Sequence, residues 1–146
     1  MHRATPGLHA ITPYLIVGGL SKLAHFLVEA FGARETFRLD RPDGSVMHLE
    51  MRIGDSLIMM GEPLEGSASM PGSLHLYVWD CDAVYWRALQ AGAESVMPVT
   101  TMKNGGERCG AVLDPSGNVW WIATRFAEPV HDEPLWPDVQ REPMAS

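Results

Sequence analysis

His48 and Glu50 are the residues of this sequence whose types and spacing most clearly suggest chemistry. They lie two positions apart in SVMHLEMRI, where apolar and polar residues alternate as in a strand with two unlike faces. Side chains two apart on a strand share a face, so the imidazole and the carboxylate can meet. A histidine beside a carboxylate can act as a general base, which makes these two the candidate catalytic residues.

Two other interpretations of this pair stay open. Together with His75, the pair supplies two histidines and one carboxylate, the ligand set of many iron sites. Together with Arg52, it forms instead a polar stripe that faces solvent or another subunit.

A second charged pair, Glu107 and Arg108, follows the run KNGG. Arg108 is a candidate for clamping an anionic group of a ligand, because a guanidinium binds a carboxylate or phosphate through two parallel hydrogen bonds. A surface hairpin with solvated charges explains the same residues equally well.

Composition excludes several classes of function. The chain has 146 residues, 46% hydrophobic and 20% charged, which are ordinary values for a folded globular protein. A net charge of −7 argues against a nucleic-acid partner. No apolar run approaches the roughly 20 residues that span a bilayer, and the first ten residues lack the apolar stretch of a signal peptide. We therefore expect a cytoplasmic protein without a membrane partner, in which Cys81 and Cys109 are free thiols.

Turn and breaker residues divide the chain into three parts. A folded domain, residues 10–126, is expected between a flexible N-terminus, residues 1–9, and a Pro-rich tail, residues 127–146. Trp136 in that tail is expected to dock on the domain or on a partner subunit.

The folded domain contains an internal repeat. Its halves, about residues 10–62 and 72–126, each predict a strand, a helix that ends at a glycine, and three more strands. Ile58 in the first half matches Trp121 in the second at an offset of 63 residues. One half alone cannot bury both faces of its sheet, so the two halves should pack together.

Each of the two predicted helices has a side chain near its N-terminus that could cap it. Ser21 is expected to cap the first helix, and Asp80 or Asp82 the second.

These motifs resemble the vicinal oxygen chelate superfamily, which includes glyoxalase I, bleomycin-resistance proteins and extradiol dioxygenases, and most closely its PhnB-like branch. The resemblance rests on TPYLIV, FLVEAFGA, MHLEMRIGDSLIMM, SLHLYVWDCDAV and ERCGAVLDPSGNVWWIAT, which together span residues 11–124. It implies an α+β fold in which two βαβββ modules form a cupped mixed β-sheet with the helices on the outer face. It also implies a homodimer.

The resemblance further implies where a metal would lie. Metal-using members hold the ion at four positions, normally His or Gln and Glu, and these positions fall here on Thr12, Ser73, Trp121 and either Ile58 or Met60. Hydroxyls are weak neutral donors, and the other side chains offer no hard oxygen or imidazole ligand. We therefore expect no metal and no other cofactor, and no reaction that needs the ion as a Lewis acid.

Side-chain alternation predicts what lines the cup in place of a metal. If Thr12 and Ser73 point inward, residues two and four positions further along the same strands do so too. With Arg108 from the predicted hairpin, the expected ligand-binding residues are Thr12, Tyr14, Ser73, His75, Tyr77, Arg108 and Trp121. Aromatic walls with a few hydroxyls and one imidazole suit an organic molecule that has a planar part.

The sequence therefore predicts metal-independent binding of a small, partly aromatic or amphipathic molecule. One alternative is an enzyme, of a lyase or oxygenase type, that uses a displaced site of His48, Glu50 and His75. Another is a structural or regulatory dimer whose core is filled by its own side chains.

Overall fold

The computed structural model describes residues 9–103 and 105–126. In chain order the elements are β1 (Tyr14–Ile16), α1 (Leu20–Phe31), β2 (Arg34–Asp40), β3 (Val46–Ile53), β4 (Ser56–Gly61), β5 (Ser73–Tyr77), α2 (Cys81–Gln90), β6 (Glu94–Thr101), β7 (Glu107–Leu113) and β8 (Val119–Arg125). The order βαβββ occurs twice, so the predicted α+β fold of two modules is confirmed. Most of the predicted flexible N-terminus and the Pro-rich tail with Trp136 lie outside the described residues. No helix of the described part is long and apolar enough to cross a membrane.

Each module forms its own four-stranded mixed sheet. The strand order is β1-β4-β3-β2 in the first sheet and β5-β8-β7-β6 in the second. In both sheets the first and last strands of the module pair in parallel, and the other neighbours are antiparallel. The chain therefore closes each module by bringing its ends together, and β1 and β5 become edge strands.

One face of each sheet is covered by helix. In the first module Leu49 pairs with Met60, and Met51 with Ile58, and all four side chains are buried. Helix α1 covers them with apolar residues that recur every three or four positions, among them the fully buried Leu23. Side chains on the opposite face of the same strands have no helix above them, and we call that side the open face.

The two helices begin in different ways. Asp80 caps α2, where its carboxylate accepts a hydrogen bond from the backbone N–H of Ala83 at 3.1 Å, so the first of the two predicted aspartates is the cap. The prediction for Ser21 is wrong, because α1 already begins at Leu20 and no side chain caps it. Gly19 occupies the capping position with a φ of 69°, a left-handed conformation that glycine reaches without steric cost.

The modules contact each other through their helices and near the edge strands. Arg87 on α2 donates two hydrogen bonds, at 3.2 and 3.1 Å, to the carbonyl oxygen of Ala30 near the end of α1. The ring of Phe31 lies 4.9 Å from that of Trp120 on β8. Because α1 and α2 contact each other while each covers its own sheet, both helices lie on one outer side.

A buried carboxylate fixes the turn before β8. Asp114 is only 4% exposed and accepts hydrogen bonds from the backbone N–H groups of Ser116 and Asn118, the Asn118 side chain and the Trp120 indole. The amide oxygen of Asn118 in turn accepts from the backbone N–H of Gly72 at 2.9 Å. The turn, the core tryptophan and the start of β5 are therefore positioned by one connected network.

Replacing Asp114 by alanine should lower the free energy of unfolding by about 3 kcal/mol, because it leaves buried donors of Asn118 and Trp120 without an acceptor. Urea denaturation followed by circular dichroism measures this loss. The exposed Asp55→Ala variant is the control and should lose less than about 0.5 kcal/mol. Equal losses in the two variants would contradict a structural role for the network.

Candidate functional site

A cavity of about 770 Å³ separates the edge strands β1 and β5. The β3–β4 turn, residues 53–56, closes one part of it, and Trp120 reaches it from β8. Four of the predicted ligand-binding residues line this cavity, namely Tyr14, Ser73, His75 and Tyr77. The remaining wall is mostly aliphatic, with Leu15, Ile58, Leu74 and Leu76.

Two more predicted residues, Thr12 and Trp121, lie outside the lining of the cavity. Trp121 is nevertheless tied to it, because its indole N–H donates to the hydroxyl of Ser73 at 2.9 Å. It also pairs in register with His75, so both side chains belong to the open face. Thr12 uses its hydroxyl locally, donating to the carbonyl oxygen of His9 at 3.3 Å.

Arg108 makes the two-pronged contact that was expected of it, but with a residue of its own chain. Its Nε and Nη2 atoms donate to the two carboxylate oxygens of Asp82 at 2.8 and 2.9 Å, and its Nη1 atom donates to Thr101. The Arg108 hydrogen bonds hold the pKa of Asp82 below its ordinary value. Arg108 alternates along β7 with the open-face residue Glu107, so the structure does not bring it together with the cavity residues.

His75 is hydrogen-bonded to Glu107, whose sequence context is equally typical of a solvated surface hairpin. The imidazole Nε2 atom lies 2.6 Å from the Glu107 Oε1 atom. The ring of Tyr77 lies 4.7 Å from the His75 ring, and the guanidinium of Arg125 lies 5.7 Å from the Tyr77 ring. The alternation of side chains along β7 is a sequence signal that predicts Glu107 on the open face. Its hydrogen-bond partner could not be predicted, because that depends on β5 and β7 lying on either side of β8 in the sheet.

His48 and Glu50 do share a face, as their spacing predicted. The imidazole Nε2 atom lies 3.3 Å from the Glu50 carboxylate, and both side chains are about three-quarters buried. The His48 ring lies between those of Tyr14 and Phe37, at 5.7 and 6.0 Å. This pair does not line the cavity, although Tyr14 lines the cavity and also contacts the His48 ring.

The register of the strands corrects one expected metal position. Tyr14 pairs with Met59 in the first module as His75 pairs with Trp121 in the second. Met59 is therefore the counterpart of Trp121, while Ile58 and Met60 are buried toward α1. The expectation of Ile58 or Met60 was wrong, because successive residues of a strand point to opposite faces of the sheet. An error of one residue in matching the two modules therefore moves the expected position to the wrong face.

The donors present do not fit the metal that the family resemblance implies. The Ser73 hydroxyl already accepts the Trp121 indole N–H, and the Met59 thioether and Trp121 indole are not ligands for a hard divalent ion. His48, Glu50 and His75 do not converge either, since His48 pairs with Glu50 and His75 with Glu107. Over the described ranges, no group of three His, Cys, Asp or Glu residues is placed to hold a metal ion.

Cys109 belongs to the open face of the second module, but its side chain is buried there. It is 1% exposed and pairs with Ala123 on β8. Burial raises the pKa of the Cys109 thiol to about 11, and the nearby Glu107 carboxylate adds to the effect. A thiol with that pKa is almost wholly protonated at neutral pH, so Cys109 is a packing residue there and not a nucleophile.

Comparison with known proteins assigns the chain to a family. The family model of the glyoxalase/bleomycin resistance protein/dioxygenase superfamily matches residues 7–122. An uncharacterised protein of Mycobacterium bovis is 34% identical over 135 residues, which cover 85% of this chain and 88% of that protein. The chain therefore belongs to this superfamily, and the resemblance found in the sequence is confirmed.

Solved structures share the fold. TioX from Micromonospora sp. ML1 superimposes with a TM-score of 0.63 at 23% identity, covering 84% of this chain and all of TioX. A PhnB protein from Bacillus cereus superimposes with a TM-score of 0.64 at 17% identity, covering 80% of this chain and 99% of that protein. At these identities both likenesses concern the fold alone.

The donor set predicts that the protein, purified without a histidine tag, carries no stoichiometric zinc, iron or manganese, because residues 9–103 and 105–126 bring no three suitable ligands together. Elemental analysis by plasma mass spectrometry measures the metal per chain after dialysis against each ion. One ion per chain that a weak chelator does not remove would contradict the expectation.

Cys109 should react with iodoacetamide at pH 8 at least about 100-fold more slowly than a free cysteine, because little thiolate is present and the thiol is covered. Mass spectrometry of the alkylated peptides measures the rate, and the urea-unfolded chain is the control. The raised pKa favours the folded state below the ordinary thiol pKa, and this contribution is lost as the pH rises toward 11. A folded rate within tenfold of the unfolded rate would show that the thiol is accessible.

Proposed function

We propose that this member of the superfamily binds a small, planar and largely apolar organic molecule in the cavity between β1 and β5, without a metal ion. The observation that carries the proposal is the exposure of two aromatic rings at this cavity. Tyr14 is 47% and Tyr77 54% exposed, although each belongs to a strand whose other face is packed against a helix. A ligand that covers such rings gains about 25 cal/mol for each Å² of apolar surface removed from water.

The polar groups of the cavity are few and are suited to fixing a ligand's orientation. The Ser73 hydroxyl accepts from Trp121, which leaves its own O–H to donate, and His75 has a second ring nitrogen besides the one that faces Glu107. A cavity with an apolar wall and a small number of placed polar groups is typical of sites for organic ligands. Its volume of about 770 Å³ also falls in the range of such sites.

The homodimer and the cytoplasmic location stay predictions. Phe37 and Leu39, on the open face of β2, are 49% and 43% exposed. A second copy of the chain that covers this strand would remove them from water, in keeping with the dimer that the family resemblance implies.

Ligand binding is tested first with planar aromatic compounds, starting from neutral 2-naphthol and its acidic relative 2-naphthoate. At a concentration of 100 times Kd, a ligand that binds only the folded chain adds about 2.7 kcal/mol of stability. For a chain of this size we expect Tm to rise by roughly 5–10 °C. Isothermal titration calorimetry then gives Kd.

Tyr14→Ala and Tyr77→Ala should each weaken binding about tenfold, since each removes a stacking surface worth about 1.4 kcal/mol. Trp86→Ala is the matched control, because Trp86 is a comparably exposed aromatic residue on α2, away from the cavity. An equal loss in the control variant, or no rise in Tm with any planar compound of a wider panel of acids, quinones and drugs, would contradict the proposal.

A further inference from the structure

We infer that His75 and Glu107 form a proton-transfer pair, in which His75 takes a proton from a molecule bound in the cavity and Glu107 is its positioning residue. This adds a reaction to the binding site and rests on the binding function proposed above. The proposal is based on a histidine that lines the cavity and is hydrogen-bonded to a mostly buried carboxylate.

The hydrogen bond determines which nitrogen of His75 is free. A carboxylate oxygen accepts hydrogen bonds, so the imidazole Nε2 atom is the donor in the 2.6 Å bond to Glu107. The Nδ1 atom then keeps its lone pair, and none of the described residues makes a hydrogen bond to it. An imidazole with one nitrogen held by a carboxylate and the other unprotonated is arranged as a general base.

The surroundings of Glu107 strengthen this arrangement. The His75 side chain is 43% exposed but that of Glu107 only 14%, so the carboxylate is shielded while the imidazole stays accessible. The contact passes over β8, which lies between β5 and β7 and presents the small residue Ala123 to the open face there. A shielded carboxylate stabilises a neighbouring imidazolium more strongly than one in water, because less solvent screens the attraction.

The other histidine–carboxylate pair lacks these features. His48 and Glu50 lie on one strand, their contact is longer at 3.3 Å, and neither residue lines the cavity. The position of His75 at the cavity therefore favours His75 and Glu107 as the reacting pair.

The class of substrate follows from what the pair can do without a metal or a redox partner. A planar, conjugated molecule with an acidic C–H bond can lose that proton to the Nδ1 atom of His75. The electron pair of the C–H bond then enters the π system of the molecule or expels a leaving group already attached to it. Return of the proton from the imidazolium at another carbon completes an isomerisation, so no oxidant, reductant or other co-reactant is consumed.

The Kemp elimination of 5-nitrobenzisoxazole tests the pair with a planar aromatic probe. A base removes one C–H proton, the electron pair breaks the N–O bond, and the coloured cyano-nitrophenolate product is followed by absorbance. Wild-type protein should accelerate this reaction above an equal concentration of free imidazole. His75→Gln should lower kcat/KM at least about 100-fold, and Glu107→Gln roughly tenfold or more.

Two histidine variants provide the comparison. His25→Gln should leave the rate unchanged, because His25 is exposed on α1. His48→Gln should lower the rate less than His75→Gln does, and the opposite order would overturn the assignment. Thermal melting of every variant shows whether a loss of rate comes from unfolding.

A second measurement needs no ligand. In ¹⁵N spectra of histidine-labelled protein, neutral His75 should carry its proton on Nε2. Glu107→Gln should abolish this preference, since a carboxamide can either donate to or accept from the ring nitrogen. Observation of the Nδ1–H form in the wild-type protein would overturn the inference, whatever the outcome with the probe.

Binding and reaction are separated by 6-nitrobenzotriazole, an unreactive analogue of the probe, titrated by calorimetry. Binding of the analogue together with a His75-dependent elimination supports both the binding site and the proton-transfer pair. Binding without a His75-dependent reaction overturns the pair and leaves the proposed binding function in place. Absence of binding for the analogue and for the naphthalene compounds overturns both.

Discussion

The alternation of side chains along each strand constrains the rest of this structure. Every second residue must be apolar because it meets a helix, so polar side chains can stand only at the residues between them. The cavity takes its polar and exposed aromatic groups from those residues, while helix-facing residues such as Leu74 and Leu76 supply its aliphatic wall. In β5 the sequence SLHLY meets both demands, with Leu74 and Leu76 packed against the core and Ser73, His75 and Tyr77 on the open face. A shift of one residue would exchange the two sets, and the open face would lose its chemistry.

The same constraint applies to the positions where the family resemblance implies a metal. On the open face the helix packing does not constrain the type of side chain. Here Met59 and Trp121 stand at equivalent places in the two modules, each paired with the edge strand of its own sheet. A thioether and an indole at these places suit an organic surface better than a hard divalent ion, in keeping with the proposed binding function.

The fold could be predicted from the sequence because its signals are local and occur twice. Turn residues and apolar periodicity marked all the elements, and side-chain spacing correctly put His48 beside Glu50. The site was only partly predictable. Arg108 was expected at the ligand, but Asp82 lies where α2 begins beside β7 and forms the bidentate pair instead. Gly19, and not Ser21, occupies the N-cap of α1, because the turn after β1 has a left-handed backbone conformation there. The usual preference for a serine cap does not predict such a conformation.

The sequence by itself determined the repeated βαβββ order, the superfamily, and an unsuitable set of donors at the expected metal positions, since these depend on residue types and short spacings. Only the tertiary structure decided which histidine meets which carboxylate and which side chains share the cavity. His75 and Glu107 are 32 residues apart in the chain and belong to strands that are not neighbours in the sheet. Their contact crosses β8, where the register puts the small Ala123 between them, and a local pattern of residues encodes neither the strand order nor the register.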